Sequence, residues 1–300
     1  MKMSVAWPNP GRYVLAVSGG ADSMVLLNLF AEHRGQRAYE LIVAHFDHGL
    51  RDESASDRKF VQNSAEKLGL PFEYMEASLP DRSEATARDA RHEWFESLRV
   101  ERGAKAVITA HHADDLLETS ILNLARGTGR RGLAPMQEGP IIRPLIGATR
   151  ADLRGFAKEH QIAWQEDQSN ADISNPRNFL RHKLLPKARQ DWTSSYLEGV
   201  HKMAELNTLI DQSISDILST VKDGENAYNF PRQTIQNLSI SVLEEVLIAA
   251  AQALKPGTEL DRRVVQELAL FAKTSPPHRH RPLRSGIDVS VFMDAVRING

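Results

Sequence analysis

The segment Ser18-Gly19-Gly20-Ala21-Asp22-Ser23 has residue types that point most directly to chemistry. Adjacent glycines permit positive φ and let backbone N–H groups approach a ligand with no β-carbon in the way. Successive N–H groups followed by a helix amino terminus make a concavity that suits phosphate. The Ser18 and Ser23 hydroxyls add donors, and Asp22 fits a phosphate that arrives with Mg²⁺, since a bare phosphate would be repelled. A plain tight turn with Asp22 capping the helix is the other reading. No Gly-Lys-Ser/Thr follows, so this is not a Walker loop. Gly127-Thr128-Gly129-Arg130-Arg131-Gly132 matches a dinucleotide fingerprint, yet it follows a helical pattern instead of a strand. It reads as a basic glycine loop able to close over phosphates.

A second chemical segment runs from His111-His112 through Asp114 and Asp115 to Glu118. Residues three apart share a helix face, so Asp115 and Glu118 together suit an ammonium group. Acids in the first helical turn can also do no more than stabilise it. His45, Asp47 and His48 beside His111, His112 and Asp114 also admit a metal-dependent phosphoesterase with a dinuclear centre, a reading that gives the Ser-Gly-Gly loop no purpose.

These residues need elements to position them. Tyr13–Val17, Leu41–Phe46, Pro71–Met75 and Ala106–Ala110 are short apolar or β-branched runs, as in a parallel sheet buried on both faces. Between them, Asp22–His33, Ala55–Leu68, Glu84–Arg102 and Asp114–Ala125 carry helical periodicity. The alternation predicts a doubly wound α/β domain with its ligand beyond the carboxyl ends of the strands. A helix is expected from Arg150 with Thr149 as its N-cap. Pro186 and the polar run Gln190–Ser195 suggest a hinge, dividing the chain into a catalytic domain, 1–192, and a smaller, mainly helical domain, 193–300. That second part shows helical runs at His201–Val221, Ser241–Leu254 and Thr258–Lys273, then a hairpin of Val289–Phe292 with Ala295–Ile298.

Composition narrows the field. The chain has 300 residues, 37 Lys+Arg against 39 Asp+Glu, and no cysteine. The last fact excludes disulfides, thiolate zinc sites, iron–sulfur clusters and cysteine nucleophiles. A net charge of −2 leaves nucleic-acid binding to local patches. Ala171–Gln190 is one such patch, with Arg177, Arg181, Lys183, Lys187 and Arg189 against Asp172, and His278–Arg284 is another. No signal peptide or membrane span is apparent, so a cytoplasmic protein without membrane contact is expected.

The SGGADS segment resembles the PP-loop of the N-type ATP pyrophosphatases, which cleave ATP between the α and β phosphates. His45–Arg51, Thr109–Thr119, Arg126–Gly129, Gly132–Met136, Arg143–Leu145, Glu166–Asn170 and Arg177–Arg181 follow in order, with Pro186 after them. Together they are similar to the tRNA(Ile)-lysidine synthases over roughly the first two-thirds of the chain. The family's Arg-Tyr pair is Arg91-His92 here, Pro176 stands where an aromatic is common, and the last third matches loosely. The further domain of longer members is expected to be missing.

The resemblance implies an adenine nucleotide alpha hydrolase-like fold and an ATP-dependent ligase. It would adenylate C2 of the wobble cytidine in an isoleucine tRNA with a CAU anticodon, then let free L-lysine displace AMP. It assigns ATP binding to Ser18, Gly19, Gly20, Ala21, Asp22, Ser23, His45, Arg91, His111, Arg126 and Gly127, with Mg²⁺ at Asp22. Asp115 and Glu118 would bind lysine, and Asp22, Arg91, Asp115 and Glu118 would carry catalysis. Arg177, Arg181 and Lys183 would meet tRNA, together with the second domain. A catalytically inactive ATP/RNA-binding protein is the other alternative, and the intact loop and acids argue against it.

Overall fold

The computed structural model describes residues 3–47, 54–77, 84–136, 141–166, 173–188, 190–258, 260–283 and 285–300. The first half alternates β1 (Gly11–Ala16), α1 (Ala21–Arg37), β2 (Tyr39–Asp47), α2 (Ser54–Lys67), β3 (Phe72–Glu76), α3 (Glu84–Glu101), β4 (Ala106–Ile108) and α4 (Ala113–Ala125). Then come the single turn α5 (Arg130–Leu133), the short strand β5 (Ile141–Ile142) and α6 (Arg150–Glu159). The strands pair in parallel in the order β3-β2-β1-β4-β5.

Alternation along β1 explains the layers. Tyr13, Leu15 and Val17 pack with Leu26 and Phe30 of α1, Val61 of α2 and Leu153 of α6. Val14 instead packs with Ala44, Val107 and Leu98 of α3, so the sheet is covered on both sides. Chain order runs outward from β1 in one direction and then restarts at β4 in the other. The crevice for a ligand in such a sheet opens where the order reverses, at the carboxyl ends of β1 and β4. The Ser-Gly-Gly loop leaves one of those ends and His111-His112 the other.

Thr149 caps α6 as expected: its Oγ1 accepts from Asp152 N (3.2 Å), while Asp152 Oδ2 accepts from Thr149 N (2.9 Å). Beyond it lie α7 (Pro176–Phe179), a π-helical turn (Leu180–Leu184), a 3₁₀ turn (Leu185–Lys187) and the long helix α8 (Gln190–Val221). The polar run at 190–195 therefore opens a helix instead of forming a hinge.

The chain forms two compact units divided after Ala204, inside α8. The second, Glu205–Gly300, holds β6 (Ala227–Pro231), α9 (Arg232–Asn237), α10 (Ile240–Leu254), α11 (Arg262–Thr274), β7 (Arg279–Pro282), β8 (Asp288–Val291) and β9 (Ala295–Asn299). It is less purely helical than expected: the hairpin β8–β9 is the middle of a four-stranded antiparallel sheet, β6-β9-β8-β7. Val289, Val291, Val296 and Ile298 alternate inward and join Leu243, Val246 and Leu268 in its core. Among the described residues no helix is long and apolar enough to cross a membrane.

Candidate functional site

At the end of β1 the chain turns sharply through Gly19, whose φ of +96° a side chain would resist. Gly20 is the N-cap of α1 and offers no side chain to the first-turn N–H groups. An uncapped helix start is a ready site for an anion. The two serines brace the turn. Ser23 Oγ donates to Gly20 O (2.9 Å), accepts from Gly19 N (3.1 Å) and lies 3.1 Å from Ser18 Oγ. Ser23 is buried and Ser18 exposed, so Ser18 is the hydroxyl presented outward. Gly19 O accepts from Gln165 N (3.0 Å), tying the loop to the segment after α6.

His112 is the N-cap of α4 and is fully buried. Its Nε2 lies 3.4 Å from Asp22 Oδ2 and 3.4 Å from Asp115 Oδ2, and its Nδ1 lies 3.5 Å from Asp114 Oδ2. Burial alone would lower the pKa of this imidazole. The carboxylates of Asp114 and Asp22, then Asp115, outweigh burial and push it up to about 9. The effect is mutual: burial raises Asp22 and Asp114, but both end below the usual carboxylate range because His112 and Arg150 face them. Asp115 also accepts from His112 N (3.1 Å) and Asp114 from Arg150 N (2.8 Å). The acids thus do cap and brace helices, as the modest alternative held, and in doing so converge on one cation.

The neighbouring His111 behaves in the opposite way. Burial, aided by Arg143, Arg91 and Arg177 and opposed by Asp115, pushes its pKa down to about 4. Its Nδ1 sits 2.7 Å from Thr109 Oγ1. A neutral imidazole therefore stands beside a charged one at the end of β4.

Glu118, one turn further along α4, has 0% exposure. Arg181 grips it through Nε to Oε1 (2.9 Å) and Nη2 to Oε2 (2.9 Å). Arg150 Nη2 stands 3.5 Å from Oε1 and Arg177 Nε 3.7 Å from Oε2, while Arg177 Nη2 donates to Thr119 Oγ1 (2.6 Å). Arg150 and Arg181 also approach Asp115 Oδ1, each at 3.9 Å. So Arg177 and Arg181, expected to face tRNA, meet the carboxylates expected to face lysine. Lys183 is exposed on the same π-helical turn.

The remaining residues divide. His45 Nδ1 donates to Val17 O (2.8 Å), which pins the buried ring beneath the loop. Arg91 on α3 lies within electrostatic reach of His111. Arg126 and Gly127 lie at the opposite end of α4 from His112, about 20 Å of helix away at 1.5 Å per residue, and the structure does not bring them to the loop. His48–Arg51, Asp167–Asn170, Asp172, Arg189 and Arg284 lie outside the described residues. His112, Arg150 and Arg143 are participants that sequence reasoning left unassigned; Arg150 was visible only as the start of a helix, and its pairing with acids more than thirty residues earlier left no local signal.

Among the described residues no group of three or more His, Asp and Glu side chains is placed to hold a metal ion. The dinuclear reading is not favoured: His45 is turned to a carbonyl and His112 to three carboxylates, and His48 lies outside the described residues. A Mg²⁺ bound chiefly by phosphates and water asks for only one or two carboxylates. Asp22 fits that need: its Oδ1 is buried with no hydrogen-bond partner.

Comparison with known proteins follows the same lines. The PP-loop domain family matches residues 2–188. A tRNA(Ile)-lysidine synthase from Chlorobaculum tepidum is 32% identical over 286 residues, covering 90% of this chain and 86% of that protein. The Solibacter usitatus protein of the same name is 32% identical over 301 residues, covering 96% and 67%. The Thermus thermophilus one is 43% identical over 180 residues, 58% of this chain but 35% of that protein, so the chain spans about a third of its length in the match. A solved structure, the U34-tRNA thiolase NcsA from Methanococcus maripaludis with its [4Fe-4S] cluster, shares the fold at a TM-score of 0.55 and 16% identity, covering 66% of this chain and 74% of that one.

Proposed function

Because the chain belongs to the tRNA(Ile)-lysidine synthases within the PP-loop family, we propose that it ligates lysine to C2 of the wobble cytidine in an isoleucine tRNA with a CAU anticodon, consuming ATP. The observation that carries this reading is the meeting of Asp22 from the phosphate loop and Asp115 from α4 on one nitrogen of His112, each at 3.4 Å. A nucleotide in the loop and an amine at Asp115 are then held by one rigid constellation.

The cytosine C2 oxygen attacks the α-phosphorus of ATP, and pyrophosphate leaves. This turns a poor leaving group into AMP and splits one hard step into two easier ones. The lysine ε-amine, after losing a proton, attacks C2 and AMP departs with the oxygen. The turn at Gly19, the Ser18 hydroxyl and the start of α1 hold phosphate oxygens, with Ser23 bracing the turn and His45 beneath it. Mg²⁺ at Asp22 would screen the phosphate charge. Arg91 and neutral His111 face the departing pyrophosphate or the developing charge.

Asp115 and Glu118 receive lysine. An amine that reaches Glu118 must take over contacts now made by Arg181. Lys183, with Arg177 and Arg181, meets the tRNA backbone, and the second unit adds contacts to the same partner. The setting is cytoplasmic, where ATP, lysine and tRNA coexist. The test is multiple-turnover pyrophosphate release: it should require both lysine and a CAU transcript, and steady release without either counts against the reading.

A further inference from the structure

We propose that Arg150 binds the α-carboxylate of free lysine while Asp115 takes the α-ammonium, which leaves the ε-amine as the end presented for attack. This deepens the ligase reading above and rests on it. Free lysine differs from a simple diamine in carrying a carboxylate, and Asp115 and Glu118 can only repel that group. A cation with donors to spare is needed beside them. Arg150 opens α6, and its place is fixed by the backbone. Its N donates to Asp114 Oδ2 (2.8 Å), Ala113 N donates to Ala148 O (2.8 Å), and Leu153, three residues on, is buried in the core of the first unit.

The guanidinium is loosely engaged. Its Nη2 stands 3.5 Å from Glu118 Oε1 and 3.9 Å from Asp115 Oδ1, and the side chain keeps 21% exposure. Among the described residues it makes no hydrogen bond shorter than that 3.5 Å contact. Arg181 reaches the same Asp115 oxygen at 3.9 Å, but it is committed to Glu118 through two nitrogens at 2.9 Å. Asp115 is the counterpart. Its Oδ2 accepts from His112 N (3.1 Å), whereas among the described residues Oδ1 meets two guanidinium groups at 3.9 Å, too far for a hydrogen bond. An acceptor and a donor thus face each other across a gap that neither closes. The zwitterionic end of an amino acid supplies the complement of each from one carbon. Its ammonium would donate to Asp115 Oδ1, and its planar carboxylate would accept from the fork of Arg150.

The test compares lysine with cadaverine, which lacks the carboxylate and keeps both amines, in multiple-turnover AMP release with the full chain, ATP and a CAU transcript. In the wild type the KM for cadaverine should exceed that for lysine by about tenfold or more. Arg150→Gln should raise the lysine KM towards the cadaverine value and leave the cadaverine KM near that of the wild type. Arg150→Lys, which keeps the charge without the fork, should fall between the two. A wild-type cadaverine KM equal to or below that for lysine overturns the subsite and leaves the ligase reading standing. So does an Arg150→Gln chain whose cadaverine KM rises as much as its lysine KM, which would make Arg150 a brace for the acids. If Arg150→Gln does not fold, the wild-type ratio and Arg150→Lys decide. A wild type with no lysine-dependent AMP release removes the ligase reading, and the subsite with it.

Discussion

Arg181 holds both carboxylate oxygens of Glu118, each at 2.9 Å, from a π-helical turn on the far side of the first unit's sequence. Glu118 has no exposure, and two more arginines stand within 3.7 Å of it. Removing its charge leaves those partly buried guanidinium groups facing one another with no carboxylate between them. Glu118→Gln should lower unfolding stability by about 3–5 kcal/mol in denaturant melts. It should also raise the lysine KM while ATP affinity stays near normal. A variant as stable as wild type would show that the arginine cluster does not depend on this carboxylate.

The two adjacent histidines should set opposite limbs of a pH–stability profile. His112 has its folded pKa raised to about 9, so its stabilisation is complete below its ordinary value of about 6.5 and is lost as pH rises through 9. His111 has its folded pKa lowered to about 4, so it costs stability as pH falls from about 6.5 towards 4. Melting temperature should peak near neutrality, and the alkaline limb should amount to about 3 kcal/mol at most. His112→Gln should flatten that limb; an alkaline limb as steep as the wild type's would assign it to other groups.

Asp22 links the phosphate loop to His112. Asp22→Asn should abolish pyrophosphate release while leaving a cooperative fold. Preserved turnover would remove the loop from the chemistry.

The glycines of the loop should differ in what they tolerate. Gly19 has φ +96°, so Gly19→Ala should cost about 1–2 kcal/mol and impair ATP binding. Gly20 has φ −72°, and an added Cβ would meet only Ser18 Oγ at 3.7 Å, so Gly20→Ala should fold like wild type. Equal stability losses at the two positions would contradict this backbone account.

Lys183 is exposed, and among the described residues it has no ion pair of the kind that occupies Arg181. Lys183→Ala should reduce the salt slope of tRNA binding by about one or slightly less without a change in stability. An unchanged slope would return this lysine to an ordinary solvated surface.

Much of the first unit was legible because its signals are local. Strand runs such as Leu41–Phe46, the glycine pair after β1 and the Thr149 cap each work within a few residues. The strands β6 and β7 were not legible, since Arg279–Pro282 carries no apolar alternation and is a strand only because β8 pairs with it. The same holds for the site. The loop and the acids of α4 announce themselves, whereas the Glu118–Arg181 grip joins residues 63 apart. The burial that neutralises His111 and the carboxylates that charge His112 come together only when α1, α4 and α6 converge. No spacing rule separates those two neighbours.

The central claim is that the nucleotide loop and the Asp115 carboxylate serve one ligation. Its most direct measurement is the transfer of radiolabelled lysine into a CAU tRNA transcript in the presence of ATP. The account predicts ATP-dependent label confined to the wobble nucleoside and absent from a transcript with uridine there. Lysine left wholly free while the chain turns over ATP on that transcript would contradict it.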